Sequence, residues 1–214
     1  VLDLWFERVV KSRMRGEAYL VRYIDDFVLC FQFREDALRV QEVLRKRLGK
    51  FGLTLEPNKT KLVEFGRYAQ KYASKHGRKR PETIYFLGFT LYCTQNRKSN
   101  FRVGLRTEKS RLRRALMRMQ DQMRRVRHLP LGEQVDCLNQ MLRGHYGYYG
   151  IAGNIRALRQ VHRAVERYRR KMLSSRSWKG EVRWQKFQRI KERFPLLRPK
   201  LRLPYEALKA LAAL

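Results

Sequence analysis

Two adjacent carboxylates, Asp25 and Asp26, stand between the apolar runs Ala18 to Val21 and Phe27 to Phe33. Strand-forming residues on both sides of a short polar break predict a β-hairpin that lifts the pair to its tip. At about 4 Å two like charges repel by roughly 4 kcal/mol at an effective dielectric near 20, so a divalent cation is the natural way to hold them together. Magnesium suits hard carboxylate oxygens and keeps substrate phosphates among its other ligands, which makes phosphoryl or nucleotidyl transfer the chemistry this pair can serve. Adjacent aspartates also suit an ordinary solvated turn, and without a frame around them that plainer reading is favoured.

The frame reverses the preference. Tyr23-Ile24-Asp25-Asp26 between apolar strands resembles the Tyr-x-Asp-Asp hairpin of reverse transcriptases. The stretch Gly16-Glu17-Ala18-Tyr19-Leu20-Val21-Arg22 that leads into it, with Phe27 beyond it, resembles the palm of a bacterial group II intron reverse transcriptase, or maturase. Further similarities follow in the family's order. Leu55-Glu56-Pro57-Asn58-Lys59-Thr60-Lys61 resembles the loop that approaches the incoming nucleotide, and Phe86-Leu87-Gly88-Phe89 resembles the primer-grip hairpin. Gly144-His145-Tyr146-Gly147-Tyr148-Tyr149-Gly150 with Gly153-Asn154 resembles the helical thumb, or domain X. Trp178, Trp184 and Phe187, followed by Phe194-Pro195-Leu196-Leu197-Arg198-Pro199, resemble a short basic tail.

The resemblance implies an RNA-directed DNA polymerase with a maturase role. Asp25 and Asp26 would hold Mg2+, with Asp25 the direct ligand, and Lys59 or Lys61 would neutralise departing pyrophosphate. Tyr23, Phe86, Leu87 and Gly88 would position the primer. The implied partners are group II intron RNA, an RNA template/DNA primer duplex and dNTP. The thumb would meet RNA through Arg113, Arg114, Arg143, His145, Tyr148 and Asn154. Of Tyr146, Tyr148 and Tyr149, two are expected in the core. The family's third carboxylate and its fingers precede the helix with which this chain opens. The expectation is therefore the C-terminal part of a longer enzyme that needs its N-terminal fingers and palm portion and extends no primer alone. Two alternatives stand beside it: an RNA-binding maturase without polymerase activity, and a domesticated or defence-associated reverse transcriptase.

Composition points independently to a polyanion. Lys and Arg number 50 against 19 Asp and Glu, a net charge of +31 over 214 residues, far beyond what solubility requires. The first hundred residues carry +10 and the remainder +21, so the second part is expected to hold the larger phosphate surface. If about eight of its basic groups met phosphates, log affinity would fall with log salt at a slope of roughly −6 to −7. With 43% hydrophobic residues the chain can build a core, so it is no disordered tail. Neither a run of about twenty apolar residues nor a secretory pattern occurs, which excludes a membrane span and suits a cytoplasmic bacterial protein. Cys30, Cys93 and Cys137 are expected as reduced core residues. With no Cys-x-x-Cys and no metal-ligand spacing among His76, His128, His145 and His162, a zinc site is not expected. No Walker loop, Gly-x-Ser-x-Gly or Gly-x-Gly-x-x-Gly is present.

The elements that must position these groups follow from periodicity. Leu2, Trp5, Phe6, Val9 and Val10 predict a helix to about Arg15 that backs the sheet. Leu38, Gln41, Leu44, Leu48 and Phe51 predict a second helix over Glu35 to Phe51. Leu53 to Leu55 and Leu62 to Phe65 are expected as short strands around Pro57-Asn58. Ile84 to Phe89 and Leu91 to Thr94 lead into a hairpin closed by Phe101 to Leu105. Between Gly66 and Thr83 the period vanishes while Arg67, Lys71, Lys75, Arg78, Lys79 and Arg80 cluster, an expected exposed basic loop that either reaches backbone phosphates or is merely a solvated insertion. Thr107 to Arg127, capped by Thr107, should bury Leu112, Leu116, Met119, Met123 and Val126 and turn an arginine-rich face outward. Helices over Leu131 to Tyr146 and Ile155 to Leu173, joined through Gly144 to Gly153, complete a small bundle. The fold class is α+β, an antiparallel palm sheet with packed helices over 1–105, followed by an all-helical thumb over 106–175 and a basic extension over 176–214.

Overall fold

A computed structural model of the chain describes residues 2–176 and 181–212. Trp178 lies outside the described residues. The fold is mixed α/β, with small antiparallel sheets and packed helices. The described residues divide into two compact units: those up to Leu87 together with Tyr92–Arg102, and Gly88–Leu91 together with those from Val103 onward.

In the first unit, α1 (Leu2–Trp5) runs on through a π-turn over Phe6–Val10 and a 3-10 turn over Lys11–Arg13, so the single helix expected to Arg15 is three helical pieces in series. The hairpin β1 (Ala18–Tyr23) and β2 (Asp26–Phe31) is followed by α2 (Arg34–Gly49). Trp5, Phe6 and Val10 bury against Ala18, Val40 and Leu44, with Leu20, Phe27, Leu29 and Phe31 completing the contact. Helix and hairpin therefore pack as expected, and alternation along the strands is the reason: every second side chain meets the helices. The Asp36 carboxylate, buried in the first turn of α2, accepts the Arg15 backbone N–H at 3.0 Å, and Arg15 Nη2 reaches Glu35 at 2.9 Å. These bonds fix the path from the opening helix into the hairpin.

Several expectations in this unit are corrected. The buried stripe of α2 is Asp36, Val40 and Leu44, while Leu38 and Phe51 are exposed, so the hydrophobic phase lies on a neighbouring face. Leu53 to Leu55 and Leu62 to Phe65 are irregular, because the connection is closed by its own turn, with the Lys59 and Thr60 amides bonding to the Glu56 carbonyl. The Gly66 to Thr83 segment is no simple loop: Ala69–Lys75 forms α3, which buries Ala69 and Ala73. Cys30 is exposed on β2 instead of lying in the core, while Cys93 and Cys137 are half-buried.

A three-stranded sheet joins β3 (Ile84–Phe86), β4 (Phe89–Gln95) and β5 (Phe101–Thr107) in that order. Three long helices follow, α4 (Lys109–Val126), α5 (Leu131–Tyr149) and α6 (Ile155–Ser174). Met119 and Met123, Val135, Leu138 and Leu142, and Leu158, Val161 and Val165 meet in one apolar seam, with Leu112 and Leu116 alongside as their spacing requires. Thr107 is the end of β5 and not the cap of α4, a place taken by Glu108. Gly144 and Gly147 belong to α5 and not to a linker; the chain turns at Gly150. Only glycine fits there, since a Cβ would fall 2.3 Å from the Tyr146 carbonyl oxygen.

The C-terminal segment packs on this same unit. Phe187 of α7 (Trp184–Arg193) buries with Leu173 and Val182, and Leu196 joins the main seam. The extended stretch beyond α7 is held by Asn139, whose Oδ1 accepts the Leu197 N–H at 2.7 Å, and by Arg169, which donates Nη1 to the Phe194 carbonyl at 3.0 Å. It then lies beside Ile151 as a parallel bridge from Leu203 and leads into α8 (Tyr205–Ala212).

Leu142 is fully buried in the seam, so Leu142→Ala should lower unfolding free energy by about 2–5 kcal/mol, read as an earlier urea midpoint of the helical signal. An unchanged midpoint would mean that the seam does not hold this unit together.

Candidate active site

The aspartate pair is carried by the tightest possible hairpin. Tyr23 pairs with Asp26, and Ile24 and Asp25 alone make the turn. Ile24 has φ 56°, a left-handed conformation that a β-branched residue adopts only under strain of roughly 1–3 kcal/mol. Both carboxylates are exposed. Residues directly opposite across a hairpin share a face, so Asp26 stands on the side of Tyr23, Val21 and Tyr19. That side of β1 faces solvent: Tyr23 is 58% exposed. The other side carries Ala18, Leu20 and Leu29 into the core.

Arg22, one residue before Tyr23, points to the opposite face and is a residue holding the turn that sequence reasoning did not single out. Its Nε and Nη2 donate to the two oxygens of Asp3 on α1 at 2.9 and 2.6 Å, and its Nη1 donates to the Ile24 carbonyl at 2.9 Å. The guanidinium therefore ties the strained turn to the opening helix and spends its bidentate charge on Asp3, whose carboxyl it holds below the usual range. Asp25 and Asp26 are left without a salt bridge among the described residues. The signal that could have found Arg22 is strand parity, which separates it from Tyr23 and Asp26.

Two unpaired carboxylates on adjacent residues suit a hard divalent cation whose other ligands are water and phosphate. Among the described residues no group of three or more His, Cys, Asp or Glu is placed to hold a metal. Lys59 and Lys61 are exposed on and beside the Glu56-anchored turn.

The other expected residues divide by burial. Arg67, Lys71, Lys75, Lys79 and Arg80 are exposed on and around α3, whereas Arg78 is bound to Glu64 at 3.3 Å and Glu82 at 2.9 Å, so its charge serves the fold. Leu87 and Gly88 form the two-residue turn between β3 and β4, both with positive φ, as the tightest hairpin turns demand; Phe86 closes β3. The close approach at Gly88 is made by Tyr149, whose hydroxyl would lie 3.0 Å from an added Cβ.

In the second unit Arg113, Arg114 and Arg143 are exposed on α4 and α5. Tyr148 is exposed and stacks on Phe89, centroids 5.9 Å apart, while Tyr146 is buried and Tyr149 half-buried, so two of the three tyrosines are in the core as expected. Two residues expected to touch RNA are instead structural. Asn154 is buried and bonds to the Thr107 amide and hydroxyl at 2.8 Å each and to the Tyr149 carbonyl at 2.9 Å, which pins the start of α6 to the end of β5. His145 is buried against Tyr146 and Tyr149 with Nε2 unpartnered, and burial pushes its pKa down to about 4.

Residues 3–91 match the family model described as reverse transcriptase (RNA-dependent DNA polymerase). The match takes in the opening helix, the aspartate hairpin, α2, α3 and the Phe86–Gly88 turn. No curated protein matches the chain. No helix among the described residues is long and apolar enough to cross a membrane.

Replacing Arg22 by Gln should speed amide exchange at Ile24 to Asp26 by about tenfold with the core amides of α2 unchanged; unaltered exchange at the turn would remove Arg22 as its anchor. Acid sensitivity is expected from His145. The unfolded chain takes up a proton near pH 6.5 and the folded one only near 4, so this contribution is complete above pH 6.5 and is lost as pH falls towards 4. Between pH 7 and pH 5 the loss should be about 2 kcal/mol, and His145→Gln should flatten that part of the urea-midpoint profile.

Proposed function

We propose that this chain is the palm and RNA-gripping helical part of an RNA-directed DNA polymerase of the group II intron type, with a maturase role in holding intron RNA. The observation that carries the reading is the hairpin tip: two exposed, unpaired carboxylates on a two-residue turn, with the neighbouring arginine withdrawn to the other face, inside the segment that matches the reverse transcriptase model. Asp25 and Asp26 would hold magnesium, which when bound supplies charge neutralisation of a nucleotide triphosphate. The chain's own residues do the positioning. Arg22 keeps the turn in its strained shape, and Tyr23, on the face of Asp26, offers an aromatic edge to the primer end. Phe86, Leu87 and Gly88 guide the primer strand, and Lys59 or Lys61 meets the departing pyrophosphate.

The basic groups that remain exposed, Arg67, Lys71, Lys75, Lys79 and Arg80 in the first unit and Arg113, Arg114 and Arg143 in the second, meet RNA phosphates. In this reading Asp25 and Asp26 act together with a further metal ligand and a template-holding portion in the complete polymerase. A second reading, a maturase in which the palm is a scaffold and the aspartates are dispensable, draws on the same basic surfaces.

One substitution separates the two. In the complete polymerase Asp25→Asn should reduce primer extension on an RNA template by at least about 100-fold while intron RNA binding and splicing assistance are kept. Extension that survives the substitution would refute the catalytic assignment and leave the scaffold reading.

A further inference from the structure

Helices α6 and α7 flank an open groove of about 710 Å³ within the second unit, and none of the catalytic, primer or RNA-contact residues proposed above lines it. Its floor is the buried ring of Phe187 and its rim is Trp184, whose indole is 54% exposed although it is the largest side chain there. An exposed indole at the mouth of a groove offers an aromatic face to a ligand that enters it. This one is held in place: its ring lies 6.0 Å from Phe187, with the Arg170 guanidinium carbon 5.7 Å and the Lys191 ammonium 6.0 Å from its centroid. Arg170 is in turn fixed by an Nε bond to the Val182 carbonyl at 3.1 Å. The platform is therefore ordered before any ligand arrives, which lowers the entropy cost of binding.

Along the α6 wall Arg163, Arg167 and Lys171 are exposed at four-residue intervals. Four residues of helix rise about 6 Å, a step comparable to the phosphate repeat of an extended single strand. Two carboxylates also line the groove, but Glu166 is closed by Lys191 at 3.0 Å, which leaves Glu181 against four cations. A positive ladder beside a preset aromatic face is the arrangement that binds single-stranded nucleic acid, phosphates on the ladder and a base on the ring. A duplex keeps its bases stacked and offers the indole nothing to cover it.

We propose that this groove is a binding subsite for single-stranded RNA, with Trp184 as the stacking platform and Arg163, Arg167 and Lys171 as the phosphate ladder. The choice of RNA over DNA rests on the function proposed above, since unpaired loops of structured RNA are what such platforms read.

The test is fluorescence anisotropy of a labelled 12-nucleotide single-stranded RNA, its DNA counterpart and a blunt RNA duplex across a salt series, without magnesium or nucleotide. Trp184→Ala should weaken single-stranded RNA binding by about 5- to 100-fold, with Trp184→Phe restoring most of it and duplex binding unchanged. Arg163→Gln with Arg167→Gln should reduce the single-strand salt slope by about 1.4. Both arginines are exposed, so this pair decides the matter if Trp184→Ala fails to fold. Unchanged affinity and slope, an equal loss on the duplex, or a preference for DNA that Trp184→Ala removes would each overturn the proposal. The assay contains neither magnesium nor nucleotide and reads this groove alone, while primer extension by the complete polymerase is read separately, so failure here and failure of the polymerase reading are separable.

Discussion

Tyr23 opposite Asp26, with only two residues between them, is the constraint on which the first unit depends. Side chains alternate along a strand, so this register decides at once that Ala18, Leu20 and Leu29 enter the core and that Tyr19, Val21, Tyr23 and Asp26 leave it. A slip by one residue would exchange the two sets, burying a carboxylate and exposing the contact with Trp5 and Phe6. Apolar burial therefore enforces the placement of the acidic tip, and the turn accepts a left-handed isoleucine as the consequence. Arg22 follows from the same parity. It is on the face opposite Tyr23, finds Asp3 there, and holds the Ile24 carbonyl without a salt bridge to Asp25 or Asp26.

Charge is managed in a related way. A chain with a net +31 repels itself when compact, and its scarce acids are placed where they link segments. Asp3 joins the opening helix to the hairpin turn, Glu35 and Asp36 join α2 to the chain before β1, and Glu64 with Glu82 clamps Arg78 on either side of α3. Glu166 accepts Lys191 and so ties α6 to α7. Arg169 shows the cost of the alternative: buried, with Nε and Nη2 unpartnered, its pKa is lowered by desolvation, and it remains because Nη1 holds the Phe194 carbonyl. Arg113, Arg114, Arg163 and Arg167 are among the cations left exposed on helices.

Polar residues that look like contact groups can serve the same linking purpose. Asn154 satisfies three backbone or hydroxyl groups at the junction of β5 and α6, and removing it would orphan buried partners. Aromatic residues divide similarly: Tyr146 fills the seam, Tyr149 closes on Gly88, and Tyr148 and Trp184 are carried at the surface on rings that stay in place.

Local patterns were enough for much of this. The hairpin, its tip, the helix backing it, and the apolar stripes of α4, α5 and α6 are properties of neighbouring residues, and period two or period 3.6 expresses them directly. The phase of α2, the irregular path around Pro57, the short α3 and the continuation of α5 through two glycines are decided by what each segment meets: Arg15 against Asp36, Glu56 against its own turn, Ala69 and Ala73 against the unit's interior. The same division holds for the site. Sequence by itself determined that two adjacent carboxylates stand at a hairpin tip and that the chain carries a net +31. Tertiary structure alone decided which polar groups stay free, because Arg22, Arg78, His145 and Asn154 are committed by partners or burial far away in sequence, and no local pattern records a contact between distant segments.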